Sequence, residues 1–208
     1  MTIASSVQLD MLNEVGNIGA GNAATSLSIL MDRKVIMHLP WTRVCSIEEG
    51  CSILSRVGEV GICVEVRVEG NLSGTMLLTL TEDSAAHIIS SFGTMLEGKT
   101  LVDDLAQSAL MEVGNIVTGS FITAISNFVG ETGMSTPPIL LYDYFDAFIC
   151  NTVIARTEGS DVVLVFKTEL EVDGKAIFGD LAFLPSPEAF RAITKKLDVA
   201  EGMVEGNG

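Results

Sequence analysis

The sequence predicts an α+β fold with mixed α/β character, in which two long helices pack with a mostly antiparallel β-sheet. Two long segments carry apolar residues at three- and four-residue steps, and alternating apolar strands follow each of them. The segment EVGNIGAG at 14–21 returns as EVGNIVTG at 112–119, so the same elements are expected twice. With 208 residues, of which 48% are hydrophobic, the chain can bury a sizeable core.

The first half is expected to begin with a long helix. Ser5 and Gln8 have the spacing of a capping box, and the apolar periodicity continues to about Leu30. Thr81 is placed to cap a short closing helix, EDSAAHIISSF. The strands expected between these helices cover 34–40, 61–68 and 74–80, with EGN at the turn between the last two.

The second half has the same order of elements. Its long helix is expected from near Asp103 to about Phe128, and Ser186 with Pro187 opens the closing helix. A further helix is expected at 144–155, and the two strands of a hairpin with an Asp-Gly turn at 161–172 and 176–184.

The repeat suggests that residues 1–208 form one domain of two homologous halves, about 5–97 and 101–200. Glu112 follows Glu14 by 98 residues, and Pro138 follows Pro40 by the same number. No segment rich in Pro or Ser separates the halves. We therefore expect a pseudo-twofold arrangement in which the two long helices pack together.

Composition excludes several classes of function. Lys and Arg number 12 against 27 Asp and Glu, a net charge of −15, which argues against binding to nucleic acid or anionic lipid.

The N-terminal sequence does not resemble a secretory signal, and no apolar run approaches the roughly 20 residues that cross a bilayer. The four cysteines form no CxxC pair. We expect a cytoplasmic, reduced protein with structural cysteines and no membrane insertion.

Each long helix carries a polar ridge. Asp10, Glu14 and Asn17, the first ridge, lie at i, i+4 and i+7, which places them on one narrow helix face. The second ridge has the same spacing and consists of Ser108, Glu112 and Asn115. Polar residues on the solvent-exposed face of a helix are ordinary, but their recurrence in both halves favours a function. After 22 intervening residues, a proline follows each ridge, namely Pro40 and Pro138.

Small residues accompany both ridges. A glycine inside a helix costs about 1 kcal/mol relative to alanine, so close approach of another backbone is expected to offset that cost. We expect Gly16 and Gly19 to pack against Gly114, with Gly119 as a further candidate. Helix packing alone is the plainer explanation of these glycines.

Other catalytic motifs have little support. GNIGAG has the order GxxGxG rather than GxGxxG, and it lies within a helix instead of after a strand. The sequence contains no GxxxxGK[ST], GxSxG or HExxH motif. Asp10 and Glu14 on adjacent turns of one helix are an unsuitable cradle for a sugar.

The pattern [DS]-x3-E-x2-N-x22-P, present twice, resembles the CheC/CheX/FliY family of CheY-phosphate phosphatases. This resemblance implies a chemotaxis phosphatase that hydrolyses the aspartyl phosphate of the response regulator CheY. It implies that Asn17 and Asn115 hold an in-line water, and that Glu14 and Glu112 pair with a lysine of the receiver domain. The residues with implied supporting roles are Asp10, Ser108, Pro40 and Pro138.

The resemblance also implies the partners. Phosphorylated CheY is the expected substrate, and its receiver domain supplies Mg²⁺, so no cofactor or metal is expected on this chain. The receptor deamidase CheD is a second expected partner. The alternative is a non-catalytic adaptor of the same fold that binds CheY, CheD or the flagellar switch, in which the ridges serve docking alone.

Overall fold

The computed structural model describes residues 4–156 and 160–205. Within these ranges, the chain forms six α-helices, seven β-strands and a short 3₁₀ helix at Gly93–Leu96. The helices are α1 (Ser6–Met31), α2 (Ile47–Leu54), α3 (Glu82–Ser91), α4 (Asp104–Val129), α5 (Phe145–Arg156) and α6 (Pro187–Glu205). The strands are β1 (Val35–Ser46), β2 (Val60–Gly70), β3 (Gly74–Thr81), β4 (Gly133–Ser135), β5 (Ile139–Tyr144), β6 (Val162–Val172) and β7 (Lys175–Pro185).

The described strands form one antiparallel sheet in the order β1-β6-β7-β3-β2, and β4 and β5 both pair with β2 at the far edge. If β1, β2 and β3 are exchanged with β4–β5, β6 and β7, respectively, the same strand order is obtained, now starting from the other edge of the sheet. The predicted α+β class with a mostly antiparallel sheet is confirmed. The strand order is the one that a twofold-related duplication would give, although the duplication itself stays a prediction.

Local sequence signals explain the ends of several elements. Ser5 and Gln8 form both hydrogen bonds of the predicted capping box at the start of α1. The hydroxyl of Thr81 accepts from the backbone N–H of Ser84 at the start of α3. In the β6–β7 hairpin, Asp173 and Gly174 have φ of 50° and 80°, the left-handed conformations that a two-residue Asp-Gly turn needs. The helix predicted at 144–155 is confirmed as α5.

The long helices α1 and α4 pack side by side on one face of the sheet. A Cβ on Gly19 would lie 3.0 Å from the Cα of Phe121 in α4, so this glycine permits close helix contact. Gly16 faces Leu39 and Phe166, and a Cβ on Gly114 would lie 2.5 Å from Val64. The prediction that Gly16 and Gly19 pack against Gly114 is therefore wrong, because Gly16 and Gly114 bring their helices close to the sheet and Gly19 faces Phe121. A Cβ on Gly119 would meet no other element within 4 Å in the described part of the chain, so the expected packing of this glycine is also wrong.

The opposite face of the sheet holds a second core under α2 and α5. Leu54, Phe145 and Val163 are buried there. Asp180 is 2% exposed, and its carboxylate lies 2.6 Å from Nζ of Lys167 and 3.6 Å from the guanidinium of Arg56. This face thus combines an apolar cluster with one largely buried charge network.

Two cysteines belong to that second core. Cys45 and Cys63 are buried free thiols. Burial raises the pKa of Cys45 to about 11 and also raises the pKa of Cys63. Both side chains are therefore thiols rather than thiolates at neutral pH, which fits a structural role. The side chain of Cys150 lies outside the described part.

Helix α4 is long and apolar enough, by length and composition alone, to cross a membrane. Half of its most apolar window is buried inside the fold, where α4 packs on α1 and the sheet. The core helix of a soluble protein has the same properties.

Candidate active site

The first ridge lies on the solvent side of α1. Asp10, Glu14 and Asn17 are all exposed, whereas Leu12 and Leu27 on the opposite side of the helix are buried. Glu14 and Asn17 are three residues apart, so their Cβ atoms are neighbours at roughly 5–6 Å. A carboxylate and an amide therefore project together from one turn of a helix that the core holds in place.

Strand β1 passes beside this ridge. Thr42 donates a hydrogen bond of 3.0 Å to Oδ1 of Asn13, and Leu39 packs under Gly16. Pro40 lies between these two contacts, where the β1–β6 register shifts between His38 and Trp41. A proline has no N–H for the ladder, so an irregular edge strand accommodates it. Pro40 thus belongs to the segment that borders the first ridge.

The second ridge is positioned by α4. Ser108 and Glu112 are exposed, and Asn115 is half-buried. Pro138 lies in the break between β4 and β5, at the sheet edge opposite to β1. Pro40 thus lies at an irregularity within one outer strand, and Pro138 lies between two short strands at the opposite edge.

Asn115 differs from Asn17 because it lines a groove. The groove runs between α1, α4 and β4, and its polar lining includes Asn22 and Ser26 from α1 and Ser135 from β4. The sequence does not reveal this groove, because three elements far apart in the chain form it. Asn115 is thus less exposed than Asn17.

The ridge side chains are available for an external partner. Within residues 4–156 and 160–205, no hydrogen bond or ion pair engages the side chains of Glu14, Asn17, Glu112 or Asn115. An amide can donate and accept hydrogen bonds at once, and a carboxylate accepts from a cation. Each ridge can therefore hold a water and pair with a positive charge on a partner.

No metal centre accompanies the ridges in the described part of the chain. In that part, no three His, Cys, Asp or Glu side chains come together in a way that could hold a metal ion. The expectation that the chain needs no metal of its own stays a prediction.

Comparison with protein families gives two matches that together include both ridges. The family described as chemotaxis phosphatase CheX matches residues 62–144, which contain the second ridge and Pro138. The CheC-like family matches residues 7–40, which contain the first ridge and Pro40. Each family model therefore covers one complete copy of the repeated pattern.

Individual relatives agree with these matches. CheY-P phosphatase CheC of Bacillus subtilis is 28% identical over 200 residues, which cover 94% of each chain. The flagellar motor switch phosphatase FliY of the same organism is 31% identical over 143 residues, covering 67% of this chain and 37% of FliY. The crystal structure of Thermotoga maritima FliY has the same fold, with a TM-score of 0.72, 24% identity, and coverage of 94% of this chain and 100% of that one.

Proposed function

The chain belongs to the CheC/CheX/FliY family, and from this premise we propose that it hydrolyses the aspartyl phosphate of the response regulator CheY. The observation that carries the proposal is the pair of ridges, each with a Glu and an Asn one helical turn apart. These side chains are exposed or half-buried, and they have no partner among the described residues. A receiver domain is itself a folded protein, so it needs catalytic groups that stand at a surface.

The chemistry needs little from this chain. An aspartyl phosphate is already an activated acyl phosphate, and the receiver domain supplies Mg²⁺ and a lysine. Phosphoryl transfer depends mainly on positioning and on charge stabilisation. Water attacks the phosphorus atom in line, the bond from phosphorus to the aspartyl oxygen breaks, and the products are inorganic phosphate and a free carboxylate.

Asn17 and Asn115 are the residues proposed to orient that water. An amide can accept a hydrogen bond from the water and donate one to a phosphoryl oxygen, which fixes the water opposite the leaving carboxylate. Glu14 and Glu112 are proposed to pair with the receiver's lysine, because charge-assisted hydrogen bonds are the stronger kind. Asp10 and Ser108 would make peripheral contacts, and Pro40 and Pro138 would shape the bordering strands.

The proposal includes two further points whose support is the family alone. One is a partnership with CheD. The other is a cytoplasmic location, where receiver domains work. The adaptor alternative shares the fold and the docking surface but gives the two asparagines no task, since docking does not require a water-holding amide.

Release of inorganic phosphate from phosphorylated CheY tests the function. We expect the protein to accelerate release well above the autodephosphorylation of CheY alone at catalytic concentrations. Binding of phosphorylated CheY without faster release would contradict the phosphatase proposal and favour the adaptor. Autodephosphorylation of the same CheY preparation with bovine albumin is the baseline.

A further inference from the structure

Two glycines extend the ridges by one helical turn. Gly21 follows Asn17 by four residues, Gly119 follows Asn115 by four residues, and the two glycines are 98 residues apart. Residues four apart on a helix are neighbours on the same face. Gly21 and Gly119 therefore stand beside the two asparagines, at the same place in each half.

The packing of the protein does not explain these glycines. Beyond its chain neighbours and the backbone of its own helix, a Cβ added to Gly21 or Gly119 would have no heavy atom within 4 Å among the described residues. Gly16, Gly19 and Gly114, in contrast, are in tight contact with neighbouring elements. A glycine inside a helix is less stable than an alanine. A side chain at either position would therefore stabilise the helix, yet both positions are glycine.

In both halves, the threonine that follows the glycine by four residues turns its hydroxyl back onto its own helix. Thr25 Oγ1 donates a hydrogen bond of 2.9 Å to the carbonyl of Gly21, and Thr123 Oγ1 donates one of 2.8 Å to the carbonyl of Gly119. These bonds hold each threonine hydroxyl against its own helix. Gly119 also lines the groove that contains Asn115. Each ridge thus ends in a patch of accessible helix backbone.

We propose that Gly21 and Gly119 are the docking contacts on which the receiver domain rests, so that its main chain meets the helix directly beside each asparagine. This inference rests on the proposed function and assigns it a contact surface. A side chain at either position would hold the receiver away from the ridge. Because phosphoryl transfer depends on placement, a displacement of about 1 Å can cost roughly 100-fold in rate.

The test replaces both glycines by glutamine, a good helix former without apolar surface. In G21Q/G119Q, we expect kcat/KM for phosphorylated CheY to fall at least about tenfold, which is what roughly 1.4 kcal/mol of lost contact amounts to. The melting temperature is expected to stay equal or to rise by about 2–4 °C. The alanine pair G21A/G119A should show a smaller loss of the same kind.

Gly202 provides a matched control. It lies in α6 and is exposed, and a Cβ there would likewise have no heavy atom within 4 Å among the described residues beyond its chain neighbours and its own helix backbone. G202Q should not lower the melting temperature and should leave kcat/KM unchanged. A general effect of added glutamine would appear in this variant as well, whereas a docking effect would not.

Binding separates this inference from the proposed function. Affinity for phosphorylated CheY is measured in the N17A/N115A background, so that the phosphate persists during titration. Weaker binding of the glutamine variant supports the docking contact even if the wild-type protein proves not to hydrolyse the phosphate. Binding and kcat/KM within twofold of the matched parent would overturn the inference while leaving the phosphatase proposal intact. If neither the wild-type protein nor N17A/N115A binds phosphorylated CheY, both the docking contact and the phosphatase proposal are overturned.

Discussion

Thr42 and Asn13 join the edge strand to the first ridge. The hydroxyl of Thr42, which is 7% exposed, donates a hydrogen bond of 3.0 Å to the side-chain oxygen of Asn13. Asn13 lies directly before Glu14, and Thr42 lies two residues after Pro40. This bond therefore fixes the distance between the strand that carries the proline and the helix that carries the ridge.

Replacing Thr42 by Val removes the donor and keeps the shape. We expect a loss of about 1 kcal/mol in the free energy of unfolding, because Asn13 loses its hydrogen bond. In the N115A background, where the first ridge acts alone, the hydrolysis rate should fall several-fold. In the N17A background the second ridge acts alone, and its rate should not change. Equal loss at both ridges would show that the bond serves the fold in general.

Two glycines of one helix should respond to alanine with opposite signs. A Cβ on Gly114 would lie 2.5 Å from Val64, whereas a Cβ on Gly119 would meet no heavy atom of another element within 4 Å among the described residues. G114A should lower the free energy of unfolding by about 1–3 kcal/mol through overpacking. G119A should raise it by up to about 1 kcal/mol. Urea denaturation of both variants provides the comparison, and a G114A protein as stable as wild type would contradict this account of α4 packing.

The charge network of the second core should be costly to break. Asp180 is 2% exposed, and its partners Lys167 and Arg56 are 28% and 31% exposed. Removing one partner of a fully buried pair costs about 3–5 kcal/mol, and the partial exposure of both cations reduces the expected cost of D180A to about 2–3 kcal/mol. R33A is the control, because it breaks a surface pair with Asp173 and should cost at most about 1 kcal/mol. Equal losses in both variants would contradict the importance of burial here.

The two ridge glutamates should affect binding as well as rate. E14A/E112A removes the carboxylates proposed to pair with the receiver's lysine, and a hydrogen bond to a charged group contributes about 1.5–3 kcal/mol. We therefore expect the affinity for phosphorylated CheY to fall roughly 10- to 100-fold. E14Q/E112Q, which keeps the size and an acceptor, should lose less. Titration curves of the alanine variant that overlay those of the wild-type protein would exclude the pairing.

Much of the fold follows from local signals. The capping box at Ser5, the Asp-Gly turn at 173–174 and the helical periodicity of 6–31 and 104–129 depend on near neighbours in the chain, and each predicted its element. The sequence does not indicate helix α2 clearly, because its eight residues make only about two helical turns. Its signal was Ser46, whose hydroxyl accepts from the backbone N–H of Glu49.

Long-range relations were harder to predict. The edge strands β4 and β5 could not be predicted, because Pro137 and Pro138 lie between them. A proline argues against a strand unless the strand lies at a sheet edge, and the sequence does not show which strands are edges. The strand predicted at 34–40 continues through Pro40 to Ser46, because β1 is also an edge strand and an edge strand tolerates a proline. The sequence indicates that Gly16 and Gly114 need close neighbours but not which neighbours, and those turned out to be the sheet. The groove at Asn115 could not be predicted, because it depends on how α1, α4 and β4 meet.

The central claim is that Asn17 and Asn115 hold the attacking water. The most direct test is the initial rate of phosphate release from phosphorylated CheY with the N17A/N115A variant, which we expect to be lower than the wild-type rate by about 10²–10³-fold. N127A serves as the control, because Asn127 is an exposed amide of the same helix α4 outside the ridge, and its rate should equal that of the wild-type protein. If folded N17A/N115A releases phosphate at the wild-type rate, the two asparagines do not position the water and the proposed mechanism is wrong.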